Sequence, residues 1–325
     1  MRRVLVTGGA GYIGSHVALA LLEAGWTVDI LDDLSTGSRR LVPAGAQLHV
    51  GNTGDRAFTA ALMAERRPEA VIHFAASISV PESVANPLKY YINNFVNSAR
   101  LVETCVEAGV DKFIFSSTSA VYGTPQILPV PETAPTAPIS PYGESKLMTE
   151  RLLRDVAVAH PFRYVALRYF NVAGADPQLR AGQVVKNSTN LIKTVAELAA
   201  GKRAGMDVMG DDYDTPDGTG VRDFIHVVDL ADAHVAALDY LIEGGDNQVL
   251  NCGYGRGYSV LEVIRAASDV VGRPLPYRIG PRRAGDPAEV VADARRIGAL
   301  LRWNPRFTAL KRIMETSIAW ERALA

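Results

Sequence analysis

Cysteine is scarce in this chain of 325 residues: there are two, Cys105 and Cys252, far apart and outside any CxxC or Cys/His cluster. A disulfide framework and a structural zinc site are not indicated, and a reducing cytoplasm is the expected home. An excess of charge is lacking as well. The 34 Lys and Arg balance 35 Asp and Glu, for a net charge of −1. No global field gathers nucleic acid or an anionic membrane, so neither is an expected partner and any anion site has to be local. No apolar run reaches the roughly 18 to 20 residues that cross a bilayer as a helix. Arg2-Arg3 has the charge of a leader, but Thr7-Gly8-Gly9-Ala10-Gly11 interrupts the apolar stretch behind it, which reads as a first strand. The six histidines form no metal-spaced pair and no GxSxG elbow occurs, so no metal is expected and hydrolase chemistry finds no support.

What the chain has in quantity is apolar material. It is 48% hydrophobic and 21% charged, enough for a sizeable core and for two modules. Six β-branched runs, at 3–6, 27–31, 47–50, 70–74, 112–116 and 164–168, alternate with segments of helical apolar spacing at 14–24, 87–108 and 141–160. This alternation predicts right-handed βαβ units and an α/β fold with a Rossmann-like, doubly wound parallel sheet. After Asn171, Gly, Pro and Asp clusters separate shorter elements, with helical stretches at 228–242 and 260–271. The expected division is a nucleotide-binding domain over 1–170, with later return segments over 221–250, and a smaller C-terminal α/β lobe over 171–325 that binds substrate.

The first strand runs into a turn with Gly8, Gly11 and Gly14, a GxxGxxG spacing. Glycines there permit a sharp turn, let a pyrophosphate approach the backbone and bring the next helix close, with its N-terminus toward the anion. The spacing departs from GxGxxG, yet the strand before it and the amphipathic helix behind it favour a dinucleotide over a bare turn. Asp32 ends the second strand, where a carboxylate accepts from the adenosine ribose and repels a 2′-phosphate, so NAD is preferred over NADP. Arg39 and Arg40 read as solvated surface cations rather than partners of such a phosphate, and Asp33 reads as a turn residue whose further role the sequence leaves open.

Tyr142 and Lys146 follow Pro141 at i and i+4, on one helical face. A tyrosine with a pKa of about 10 is a poor base at neutral pH, but a neighbouring ammonium and a positive nicotinamide ring both favour the phenolate. Such a tyrosine can take a hydroxyl proton as hydride leaves the same carbon. A lone YxxxK is common in helices and gains force only downstream of the glycine turn. The fifth strand ends in Ser116-Ser117-Thr118, at the carboxyl edge where open α/β sheets bind ligands. These hydroxyls either orient a reacting group, as Thr118 would, or satisfy strand-end backbone.

These residues resemble the extended short-chain dehydrogenase/reductases and, within them, the UDP-glucose 4-epimerase family. The similarity covers nearly the whole chain, through GGAGYIGSH (8–16), LDDL (31–34), HFAA (73–76), PESV (81–84), YYINN (90–94), FIFSSTSAVYG (113–123), SPYGESK (140–146), LRYFNVAGA (167–175), GVRDFIHVVDLA (220–231) and RRAGD (282–286). It implies that Tyr142 is the base, that Lys146 holds the nicotinamide ribose and tunes Tyr142, and that Thr118 contacts the sugar hydroxyl. It also implies an NAD site built from Gly8, Gly11, Tyr12, Ile13, Gly14, Asp32, Asn52, Phe74, Ala75, Asn94, Ser116 and Phe170. For a UDP-sugar, the pattern carries over onto Asn171, Asn190, Arg222, Arg283 and Asp286, whose chemistry suits diphosphate, amide edges and a ribose diol. Asn52 replaces a frequent aspartate and Ile78 a lysine that reaches the cofactor phosphates, which bears on how firmly NAD is retained. Phe224 replaces a tyrosine, and Val290 lies near where a bulky tyrosine closes the sugar pocket, so a smaller wall there has room for an N-acetyl group.

The implied activity is NAD-dependent 4-epimerisation of a UDP-hexose through a 4-keto sugar. Dehydratases of the same branch carry Asp-Glu after the strand-five hydroxyl, and this chain has Ser119-Ala120 instead. Other UDP-sugars remain alternatives, as does a non-enzymatic NAD-binding regulator. The resemblance also implies a homodimer through the helices at 87–108 and 141–160.

Overall fold

A computed structural model describes residues 2–185, 190–283 and 285–324; Ala284, within the RRAGD run, lies outside the described residues. In the first half, β1 (Arg3–Thr7), β2 (Thr27–Asp32), β3 (Gln47–Val50), β4 (Ala70–His73), β5 (Lys112–Thr118) and β6 (Arg163–Tyr169) alternate with helices. These are α1 (Tyr12–Glu23), α2 (Arg56–Arg66), α3 (Val80–Ala85), α4 (Pro87–Tyr90), α5 (Asn97–Glu107) and α6 (Pro141–Ala159). The second half adds β7 (Asn171–Ala173), β8 (Met206–Met209), β9 (Val221–His226), β10 (Gln248–Cys252), β11 (Gly257–Ser259), β12 (Tyr277–Gly280) and β13 (Glu289–Val290). Its helices are α7 (Leu191–Ala199), α8 (Val227–Ile242), α9 (Val260–Val271), α10 (Arg295–Leu301) and α11 (Leu310–Ala323).

Seven strands form one sheet in the order β10-β6-β5-β4-β1-β2-β3, and every pairing in it is parallel. The central strands are buried on both faces, as a doubly covered parallel sheet requires. Alternation along each strand sorts the side chains. Val4, Val6, Ile72 and Ile114 pack beneath α1 and α8, whereas Leu5, Val71, Phe113 and Phe115 pack beneath α2, α5 and α6. The strand order reverses between β1 and β4, so the loops after these two strands meet at a topological switch point.

The expected helix at 87–108 forms with a difference: residues Tyr91–Val96 between α4 and α5 make a π-turn. The widened turn frees the Asn94 carbonyl for the Ser98 hydroxyl at 2.6 Å, and it turns the Asn94 amide toward Ser77 and Ser145. Helix α6 begins where Ser140 accepts from Gly143 N and Pro141 occupies the first turn. Deeper in, its Glu150 receives a bidentate contact from Arg168 of β6, Nε at 2.9 Å and Nη2 at 2.5 Å, and a bond from the Ser117 hydroxyl of β5. Arg168 also donates to Tyr122 Oη at 3.0 Å, and that hydroxyl donates to Asn251 of β10 at 2.7 Å.

The remaining strands build a smaller assembly. β9 pairs with β7, β11 and β13, while β8 pairs with β12. Helices α7, α9 and α11 share its apolar core, which includes Phe224, Val263 and Ile313. A parallel bridge between Val130 and Ala292 ties the segment after β5 to the segment after β13. Among the described residues no helix is long and apolar enough to cross a membrane, and no group of three or more His, Cys, Asp or Glu is placed to hold a metal ion.

The buried pair yields a stability prediction. Arg168→Leu strands the Glu150 carboxylate and is expected to lower unfolding stability by about 3–5 kcal/mol in urea titrations, with the double change Glu150→Leu/Arg168→Leu recovering part of the loss. Equal stability of Arg168→Leu and the native chain would refute this account.

Candidate active site

At the switch point the three glycines serve different needs. Gly8 adopts φ +69°, and a Cβ there would lie 2.6 Å from Ala75 N; a Cβ on Gly14 would lie 2.3 Å from Gly8 O. Both are required by the chain's own packing. Gly11 is otherwise: its φ of −85° suits any residue, and a Cβ would meet only Gly8 O, at 3.2 Å. Gly11 is also the N-cap of α1, which has no side-chain cap and no acid in its first turn. The amides of Tyr12, Ile13 and Gly14 thus open a helix whose positive end is left for an anion.

Asp32 is buried beside this turn. Its Oδ2 accepts from Ala10 N at 2.9 Å and its Oδ1 from Leu34 N at 2.8 Å; burial raises its pKa, and those two amides draw it back. Asp33 takes Ser35 N and, at 3.1 Å, the Asn52 side-chain amide. Those bonds outweigh burial and hold its carboxyl below the usual range. Asn52 is therefore joined to the acid pair. Arg40 stacks over Trp320 at 5.8 Å, away from the acids.

Past β4, Phe74 packs on His234 at 4.8 Å between ring centroids, and Ala75 abuts Gly8. Asn94 holds the following loop through Ser77 N at 2.8 Å and Ser77 O at 2.9 Å, and reaches α6 through Ser145 Oγ at 3.2 Å. Ile78 is 68% exposed, so the position has no buried partner to replace the cation it lacks.

Tyr142 and Lys146 face the carboxyl end of β5. Lys146 is buried, donates to the Ser116 carbonyl at 2.8 Å and lies 5.0 Å from the Phe115 ring centroid. Burial pushes its pKa down to about 7. The Tyr142 phenol is raised by burial, an effect that Thr118, facing it, partly offsets. The expected phenolate rests on a nicotinamide ring as well as the Lys146 ammonium; in the protein alone, desolvation acts on both Tyr142 and Lys146 and favours the neutral form of each. Thr118 Oγ1 accepts from Ala120 N at 3.2 Å, which leaves its O–H free to donate toward the phenol oxygen. Beneath them, His73 bonds Thr7 Oγ1 at 2.6 Å and Ser98 Oγ at 2.7 Å. Ser98 donates to the Asn94 carbonyl, so it accepts from His73 Nε2–H, and His73 Nδ1 accepts from Thr7. Burial, with help from Lys146, pushes this imidazole down to about 3.

Two aromatic residues here, Tyr90 in YYINN and Tyr169 in LRYFNVAGA, receive no role from the motifs that contain them. Tyr90 stands edge-on to Tyr142. Tyr169, paired in register with Thr118, is buried beside Ser116 and Tyr142, and its hydroxyl faces Ser116 without a hydrogen bond of full geometry among the described residues. A buried hydroxyl short of a full hydrogen bond, a Gly11 that its own φ does not demand and an uncapped α1 fit a dinucleotide better than a sealed core.

The second half contributes polar groups to the same edge. Phe170 is buried with Val121, Tyr122, Leu147 and Ala292, and Val290 is partly buried against them. Asn171 donates to Asp223 O at 3.4 Å, and Asn190 caps α7 by accepting from Lys193 N at 3.2 Å. Arg222, on β9, is in register with Val290 and donates to Val221 O at 2.9 Å. Burial lowers its pKa, countered by Asp286, with Tyr213 and Arg283 also nearby. Arg222, some sixty residues earlier in sequence, is thus brought within electrostatic reach of Arg283 and Asp286, whereas the side chains of Asn171 and Asn190 are turned to backbone partners. Phe224 is buried in the core of the smaller assembly.

Residues 4–253 match the model of the NAD dependent epimerase/dehydratase family. The chain belongs to that family. It is 53% identical over 322 residues to a UDP-glucose 4-epimerase of Azospirillum brasilense, covering 99% of this chain and 92% of that one. Among solved structures it is similar to UDP-glucose-4-epimerase from Stenotrophomonas maltophila with bound NAD and formylated UDP-arabinopyranose (TM-score 0.96, 41% identity, 100% and 99% of the two chains). It is also similar to the UDP-Glc/GlcNAc 4-epimerase from Campylobacter jejuni (TM-score 0.87, 48% identity, 99% and 100%).

The glycines predict separable phenotypes. Gly11→Ala is expected to unfold within about 1 kcal/mol of the native chain and to bind NAD at least tenfold more weakly in a fluorescence titration. Gly14→Ala should be strongly destabilised in the urea melt. Native-like NAD affinity in Gly11→Ala would show that the turn does not approach the dinucleotide.

Proposed function

We propose that this chain is an NAD-dependent 4-epimerase that interconverts UDP-glucose and UDP-galactose. The observation that carries the reading is Tyr142 facing Thr118 at the switch point of the sheet, one helical turn from Lys146 and beside the uncapped glycine turn. Gly8, Gly11, Tyr12, Ile13, Gly14 and Asp32 would hold the pyrophosphate and adenosine, Asn52 would adjoin the adenosine through Asp33, and Phe74, Ala75, Asn94, Ser116, Lys146 and Phe170 would hold the nicotinamide end. NAD, when bound, supplies the acceptor and donor of hydride at C4 of the sugar.

The protein's own part is proton transfer and grip. Tyr142 takes the 4-hydroxyl proton and later returns it. Thr118 donates toward the phenolate oxygen and contacts the same sugar hydroxyl, and Lys146, fixed on the Ser116 carbonyl, adds its positive charge when protonated. Inversion requires the 4-keto sugar to present its other face, so UDP must be held firmly and the hexose loosely. Arg222, Arg283 and Asp286 supply the firm grip, with Asn171 and Asn190 near it; the aliphatic Val290 wall leaves the hexose room to turn. Ser119 and Ala120 offer no carboxylate for the water loss a dehydratase performs. The same wall favours acceptance of UDP-N-acetylglucosamine as a second substrate.

The division into a nucleotide-binding domain over 1–170 with returns over 221–250 and a UDP-sugar lobe over 171–325 belongs to this reading, as does a cytoplasmic home, consistent with two buried free cysteines. So does a homodimer. Val84, Leu88 and Ile92 stand exposed along α3, α4 and the π-turn, an apolar row that a second copy would cover.

Tyr142→Phe is expected to retain NAD and lose roughly 10²- to 10⁴-fold in kcat. Incubation with UDP-galactose, UDP-xylose and UDP-N-acetylglucosamine, followed by product separation, should show the hexose and the acetylated sugar inverted at C4; no turnover of the latter would reject the open-wall reading. Light scattering should give twice the chain mass, and a monomer at micromolar concentration would reject the dimer.

A further inference from the structure

Tyr90 closes α4 immediately before the π-turn and is fully buried. Its ring meets that of Tyr142 with the planes at 90° and the centroids 6.4 Å apart, a T-shaped contact of the kind aromatic pairs prefer. A ring that only filled space would need no hydroxyl. This hydroxyl is held from two sides: it donates to Glu82 Oε2 at 2.8 Å and accepts from Ser79 N at 2.9 Å. Glu82, on α3, is held in turn by Lys89 Nζ at 2.5 Å. The anchoring removes rotational freedom from Tyr90 and gives the Tyr142 ring, whose hydroxyl Thr118 meets, a fixed aromatic neighbour.

We propose that Tyr90 is a positioning residue: locked by Glu82 and the Ser79 amide, it holds the Tyr142 ring in the orientation that turns its hydroxyl toward Thr118. This rests on the reading of Tyr142 as the base. The titratable groups that face Tyr142 are Lys146 from its own helix, Tyr169 from β6 and Tyr90 itself, with the Glu82–Lys89 pair behind Tyr90. Of these, Tyr90 alone joins Tyr142 to an element outside the sheet and α6. When the ring is released, the phenolate loses part of its bond from Thr118. Since that bond lowers the phenol's pKa, its loss raises it, and the acid limb of the kcat profile moves to higher pH.

The test uses the full-length protein with NAD and UDP-galactose. Tyr90→Leu is expected to lower kcat at least tenfold at pH 7, to leave KM and NAD binding within twofold, and to shift the acid limb upward. Tyr90→Phe, which keeps the ring and removes its lock, should lose several-fold in kcat with a smaller shift of the same sign. If Tyr90→Leu does not fold, Tyr90→Phe decides alone. A native limb in the folded variants, or a uniform loss at every pH, overturns the proposal, because a purely structural defect changes the active fraction and not the titration. Tyr142→Phe separates the two readings. If it keeps native turnover, the assignment of the base fails and this inference fails with it. If it is inactive while both Tyr90 variants match the native enzyme, only the inference about Tyr90 fails.

Discussion

The grip of α6 on the sheet is the interaction on which the rest of this molecule depends. Tyr142, Lys146 and Glu150 recur every four residues along one stripe of that helix. Glu150, the last of the three, is clamped by the Arg168 guanidinium and the Ser117 hydroxyl. Burying two charges carries a desolvation penalty, met here by bidentate geometry and by the bond from Arg168 Nη1 to Tyr122, whose hydroxyl donates on to Asn251. The helix cannot slide without breaking that set. One and two turns nearer its N-terminus, the ammonium and the phenol are therefore placed by a contact that takes no part in their chemistry.

Burial then decides the character of the site. A lysine whose pKa falls to about 7 is divided between charged and neutral forms at physiological pH, and a phenol held above its usual value keeps its proton. The protein alone thus prepares a resting site in which neither group is fully ionised, and positive charge entering with a ligand has the most to change. Gly11, the bare start of α1 and the buried hydroxyl of Tyr169 belong to this same ligand edge.

Much of this was legible in the residues themselves. The alternation of β-branched runs and amphipathic stretches reports the parallel sheet because burial on both faces leaves a long apolar signature, and Gly8 and Gly14 report the turn because nothing larger fits. The π-turn was not legible, since it arises where Ser98 and Asn94 meet groups distant in sequence. Nor was the ionisation of Tyr142, because spacing locates Lys146 without revealing how dry its surroundings are. Tyr90 and Tyr169 look like ordinary core aromatics until their hydroxyls are followed. The gathering of Arg222 with Arg283 and Asp286 depends on β13 pairing with β9, a long-range register that no local pattern announces.

The place of β10 has a consequence for how the chain is made. The strand that completes the main sheet beside β6 is Gln248–Cys252, so during synthesis β6 waits while about eighty further residues, including β7, β8, β9, α7 and α8, leave the ribosome. Through that interval its outer rim of amide and carbonyl groups is unpaired and backed by an apolar surface, the type of edge on which nascent chains stick to one another. A nascent polypeptide stalled before residue 248 would keep that rim uncovered, and a chaperone acting on this protein has most to protect in that window.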